Sequence, residues 1–133
     1  MQEKHNEATP QRPQGDRPLD APLVLIDLPA IHKQIKGEAS WSDSDRNAIT
    51  VFKSAGLRIV LVALHEGAEM KKHLAGGILN VQVLDGQITF NTEAQSVILN
   101  KGQMLILHEG IAHSVTANLE STFLLTIAVS NKQ

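Results

Sequence analysis

From residue 48 onward the chain is cut into short apolar runs, each ended by turn-forming residues. The runs are AITVFKS, LRIVLVAL, ILNVQVL, QITFN, QSVIL, QMLIL, HSVTA and STFLLTIAV. Val, Ile, Leu, Phe and Thr dominate them, and such side chains suit a pleated, half-buried surface. The separators SAG, EGAE, DG, NTEA, NKG, HEG and NLE carry turn chemistry, and Asp85-Gly86 is a tight-hairpin signal. Short strands this closely spaced leave an antiparallel sandwich or barrel as the economical fold, so the expected class is all-β. Two runs, residues 57–64 and 122–129, are apolar on both alternating faces and need cover on two sides. A partner subunit is the expected cover, which makes the chain a homodimer.

The N-terminal part has a different character. All five prolines precede residue 30. Residues 1–20 are rich in charge and proline, with Leu19 as the one large aliphatic residue besides Met1. Such a segment buries too little apolar area to offset the entropy of ordering, so 1–20 is expected to be a flexible arm and 21–133 the folded domain. A length of 133 residues suits one domain. PLVLIDL, residues 22–28, reads as a strand. LPAIHKQIKG reads as one short helix, with Pro29 near its start, Gly37 past its end and Leu28, Ile31 and Ile35 on one face. His32 lies off that stripe, on the expected surface. Trp41 is expected to pack under the N-terminal segment, and the SDSD that follows it to start a helix or turn.

Several function classes drop out. A net charge of -2 lacks the basic footprint of a nucleic-acid binder. The chain has no cysteine, so thiol catalysis is excluded. No apolar stretch approaches the roughly 18 residues of a membrane span, and the N-terminus lacks the apolar core of a signal peptide. A cytoplasmic protein is the expectation. Neither a G-x-S-x-G elbow nor a glycine-rich phosphate loop is present.

The histidines carry the chemistry. His65 lies in ALHEGAE, His73 in KKHLAGG, and His108 and His113 in LHEGIAHSV. Strand alternation puts Lys71, His73 and Ala75 on one face, and His113, Val115 and Ala117 on one face. Their frame resembles the two motifs of the cupin superfamily. The first, G-x5-H-x-H-x3-E-x6-G, fits Gly67, His73, Ala75, Leu79 and Gly86 without a gap. The second, G-x5-P-x-G-x2-H-x3-N, fits Gly102, His108, Gly110, His113 and Ala117.

The resemblance implies an RmlC-like jelly-roll barrel with His73 and His113 pointing into it and His108 in the rim turn. It also implies a loss. Ala75 stands at the second His position and Leu79 at the Glu position, so two of the four family ligands are missing. Two imidazoles are too few for tight metal binding, since structural zinc takes four protein ligands and catalytic zinc about three. A divalent transition metal would be weakly held on His73 and His113, with a third ligand sought at His65, Glu69, His108 or Glu109. The expected function is therefore binding of a small molecule, without assigned catalysis. Its pocket would comprise His73, His113, Lys71, Ala75, Leu79, Val81 and Val83. The alternative is a metal-dependent cupin enzyme of oxygenase or isomerase type.

Overall fold

The computed structural model describes residues 4–6 and 17–129. In chain order its elements are β1 (Lys4–Asn6), β2 (Arg17–Asp20), α1 (Leu28–Gly37), α2 (Ala39–Asp43), β3 (Arg46–Lys53) and β4 (Leu57–Leu64). They continue with β5 (Glu69–His73), β6 (Gly77–Asp85), β7 (Gln87–Thr92), β8 (Ser96–Asn100), β9 (Met104–Leu107), β10 (His113–Ala117) and β11 (Ser121–Val129). A five-stranded sheet of order β3-β4-β11-β6-β9 faces a four-stranded sheet of order β5-β10-β7-β8, and the pairings in both are antiparallel. This is the all-β sandwich that the spacing of short strands predicts.

Alternation builds the core. Along β6, Leu79, Val81 and Val83 are buried between the sheets while Asn80, Gln82 and Leu84 are half-buried on the outer side. Val60, Val62 and Phe123 join them from the same sheet; Ile88, Phe90, Leu99 and Val115 come from the facing one. β5 is a polar strand, EMKKH, without the β-branched content of the others. It is held by its pairing to β10 rather than by propensity.

The outer face of β3 and β4 carries a second layer. Ile49, Val51, Leu61 and Ala63 pack there against Ile35 of α1 and Trp41 of α2. The chain's own helices thus cover the outer face of 57–64. One buried amide ties this layer down. Asn47 Nδ2 donates to the Ile35 carbonyl and to Glu38 Oε1, both at 2.9 Å, which satisfies a carbonyl in the last turn of α1. At the other end Asp27 caps α1 by accepting from the Ala30 amide at 3.1 Å.

Other expectations need correction. PLVLIDL is not a strand: residues 21–23 are bends, 24–27 carry no regular structure, and Leu28 opens α1. α2 is a second helix, and SDSD lies at its end instead of opening an element. Trp41 packs with α1 and β4 and stacks on His65, and Ile26 of the N-terminal segment packs on the same cluster. His32 is half-buried, with its Nε2 at 3.0 Å from the hydroxyl of buried Thr122. Of the segment expected as an arm, residues 17–20 are strand, and Leu19 and Asp20 are buried. The lone large aliphatic residue of that stretch found cover. Residues 7–16 lie outside the described residues.

Gly86 makes the β6–β7 hairpin possible. Its φ of 87° is left-handed, and a Cβ there would collide with the Glu120 carbonyl oxygen and Ser121 Oγ. We expect Gly86→Ala to lower unfolding stability by more than about 2 kcal/mol in a urea titration. Gly37→Ala, with no atom within 4 Å of the new Cβ, should change it by less than about 1 kcal/mol.

Candidate functional site

β10 runs between β5 and β7, and its first residue sets the site. His113 pairs with His73 on one side and with Thr92 on the other. Thr92 ends β7 and Leu79 lies near the start of β6, so both are far from the Gly86 turn. His113 therefore marks the barrel end remote from that turn. Its side chain is only 3% exposed and stacks on Phe90, with ring centroids 5.2 Å apart and 12° between planes. Nδ1 lies 3.0 Å from the Ile111 carbonyl oxygen. A carbonyl only accepts, so Nδ1 carries the hydrogen, and in the neutral ring Nε2 holds the lone pair.

A bulge changes which residues accompany His73. Val115 pairs with Met70 and His113 with His73, so Lys71 and Lys72 together oppose the single Ser114. Met70 packs against the core and Lys71 is exposed. Strict alternation, which would put Lys71 on the face of His73, fails at this extra residue.

The expected apolar wall is also distributed differently. Leu79, Val81 and Val83 do face inward, and each is packed in the core cluster. They follow the length of the barrel, with Leu79 and Val83 about 13 Å apart along the strand. Leu79 pairs with Leu107 and Ile127 at the His113 end; Val83 pairs with Phe123 toward the Gly86 turn. Ala75 is half-buried at the His113 end, where its carbonyl accepts from the Gly110 amide at 3.2 Å.

The four side chains named as third ligands are dispersed. His65 stacks on Trp41 at 3.5 Å and donates from Nε2 to the Trp41 carbonyl at 2.8 Å, under the helical layer. Glu69 is exposed, and its carbonyl accepts from Arg46 at 2.6 Å. His108 and Glu109 are exposed in the β9–β10 turn. Among the described residues no group of three or more His, Cys, Asp or Glu side chains could hold a metal ion. With Leu79 buried at the family's carboxylate position, the donor set does not fit a tightly held metal. Charge perturbation is also elsewhere: a hydrogen bond from Arg46 holds the Asp45 carboxyl below its ordinary value at the start of β3.

Two adjoining cavities open at the His113 end. One, of about 170 Å³, is lined by Lys72, Asn91, Thr92, His113 and Ser114 among others. The other, of about 390 Å³, is lined by Leu74, Thr92, Ala94, Gly110, Ile111 and Ala112 with Glu93. They share Thr92, Glu93 and Ala112, and a Lys72–Glu93 ion pair at 3.5 Å joins β5 to the turn after β7. Sequence patterning did not single out residues 91–94. They reach the site only because β7 pairs with β10, and that register is a tertiary fact.

No family model matches the chain, and no curated protein matches it. Solved structures do match. A cupin-2 domain protein from Shewanella frigidimarina aligns over 78% of this chain and 94% of its own, with TM-score 0.63 and 14% identity. An RmlC-like cupin from Desulfovibrio desulfuricans aligns over 65% of this chain and 84% of its own, with TM-score 0.59 and 27% identity. The fold is that of a cupin. A longer cupin-fold match is salicylate 1,2-dioxygenase from Pseudoaminobacter salicylatoxidans, with TM-score 0.71 and 16% identity. It covers 83% of this chain but only 36% of the dioxygenase. Among the described residues, no helix of this chain is long and apolar enough to cross a membrane.

The hydrogen bond to Ile111 gives this chain a testable imidazole tautomer. Long-range proton–nitrogen NMR at pH 8 should show His113 as the Nδ1-protonated form. His113→Leu, which leaves the Ile111 carbonyl without that donor, should cost about 1–2 kcal/mol in chemical unfolding.

Proposed function

We propose that this cupin binds a small molecule with an apolar body and one polar or acidic head at the His113 end of the barrel. The observation that carries the reading is the His113 ring. It is buried, held at Nδ1 by the Ile111 carbonyl and lines the smaller cavity, so it is a placed polar group in largely apolar surroundings. Small-molecule sites have this character: apolar walls and a few placed polar atoms. Leu74, Ile111 and Ala112 supply apolar lining, and Lys72, Asn91 and Ser114 supply polar lining. A hydroxyl head would meet Asn91 or Ser114 beside the His113 ring, whereas a carboxylate would accept from Lys72. His73, paired with His113 across the strands, is a further contact in this reading. No catalytic step is assigned.

Benzoate is a suitable first probe, since it has one ring and one carboxylate. Titrated to 10 mM in an amide NMR experiment, it should shift resonances of residues 72, 92–94 and 110–114, and His113→Leu should remove the shifts. Absence of any response in that set to benzoate and to benzyl alcohol would defeat the proposal.

The metal-dependent alternative keeps one supporting observation, the pairing of His73 with His113. Against it stands the donor set. Protein purified without a histidine tag or chelator should contain well under one equivalent of iron, manganese, nickel or zinc by elemental analysis. One equivalent that survives gel filtration and is lost in both His73→Ala and His113→Ala would favour the enzyme.

A further inference from the structure

The two cavities at the His113 end are bordered by a single opposed pair of charges. Lys72 comes from β5 and Glu93 from the turn after β7. Those elements lie on opposite sides of β10, so the ion pair spans that strand. Lys72 lines the smaller cavity, whereas Glu93 lines both. The remaining lining consists of apolar or neutral polar side chains and the His113 ring. A ligand carboxylate that enters either cavity therefore meets Glu93.

The turn that presents Glu93 has a fixed base. The Thr92 amide donates to the Gln95 carbonyl at 2.8 Å; the Thr92 hydroxyl donates to that carbonyl and accepts from the Gln95 amide, both at 3.2 Å. Thr92 is itself paired with His113. Beside it, Ser96 Oγ donates to Asn91 Oδ1 at 2.7 Å, and Asn91 Nδ2 donates to Ser114 Oγ at 3.4 Å. The backbone under Glu93 is thus tied to the strand that carries the site. The two charged side chains themselves stand in water, Lys72 65% and Glu93 86% exposed. An exposed pair at 3.5 Å gains little, because water screens it and two long side chains lose freedom. It opens to a competitor at small cost.

We propose that Glu93 is the specificity-determining residue of this end: its carboxylate occupies on Lys72 the place that a ligand carboxylate would take. The inference rests on the small-molecule reading above and narrows it to one ligand class, an apolar body with an uncharged hydroxyl or amide head. A neutral head uses Asn91 and Ser114 and leaves the Lys72–Glu93 pair intact. An acid has to displace Glu93 from Lys72 and then sit beside the displaced carboxylate. Among the described residues, no second lysine and no arginine lines either cavity to offset that repulsion. Once Glu93 loses its charge, Lys72 becomes an open carboxylate site.

Amide-shift titrations of benzyl alcohol and benzoate on the full chain near neutral pH test this. The unsubstituted chain should bind benzyl alcohol more tightly than benzoate. Glu93→Gln should tighten benzoate about three-fold or more and change benzyl alcohol by less than about two-fold. In a Lys72→Gln background the same substitution should give benzoate no more than about half that gain, since no cation is left to release. An equal gain in that background would reduce Glu93 to simple charge repulsion and overturn the assignment. Glu93→Gln that leaves benzoate unchanged would overturn it too, as would an unsubstituted chain that prefers benzoate. In each of those outcomes binding is seen, so the small-molecule reading survives. Silence to both ligands in every variant removes that reading, and this inference with it. Both side chains are exposed and Thr92 and Gln95 hold the turn, so amide spectra away from the site should not change.

Discussion

β11 closes this molecule. It lies between β4 and β6 in the middle of the five-stranded sheet, and its two neighbours come from much earlier in the chain. Its inward residues Phe123, Leu125 and Ile127 complete the core, and its outward Leu124 helps to seat the helical layer. Neither β4 nor β6 has its full ladder until β11 is present, and each would otherwise expose an apolar edge. Ser121, at the start of β11, accepts from the Gln87 amide at 3.0 Å, so the strand also anchors the hairpin that carries Gly86. The cupin barrel is thus held by a contact of long sequence separation, which favours slow folding over low stability.

The four-stranded sheet depends on that closure and contributes the site. Its strands are shorter and its edges, β5 and β8, are less apolar. What it adds is position: β10 brings His113, β5 brings His73 and β7 brings Thr92 to one end of the barrel. The side chains behind them form a dense core, so polar chemistry is confined to the rim. That division agrees with the loss of the acidic family ligand. A leucine at position 79 packs where a carboxylate would need water or a cation.

Much of this was legible in the sequence because the period-two pattern is written in the same residues that fill the core. The runs from AITVFKS to STFLLTIAV became strands, and Gly86 and Gly110 took the left-handed turns that their motif places require. PLVLIDL shows the limit of such reading. Its composition is strand-like, but a strand also needs a neighbour, and local pattern does not say whether one exists. The helical cover of β4 was invisible for the same reason, since two-sided apolarity demands a lid without naming it. At the site, the buried position of His113 was readable from spacing. The cavity lining at residues 91–94 was not, nor was the bulge at Lys71 and Lys72, which no glycine announces.

That bulge has a consequence for how the chain can vary. Met70 pairs with Val115 and His73 with His113, although Met70 and His73 are three positions apart and Val115 and His113 only two, because Lys71 and Lys72 together oppose Ser114. Deletion of either lysine would restore a regular pleat and leave the Val115–Met70 and His113–His73 pairings in place. Most positions in a strand cannot absorb a change of length without turning the rest of the strand inside out. β5 holds a spare residue next to the site, so homologous chains can differ by one residue here and still share a barrel interior.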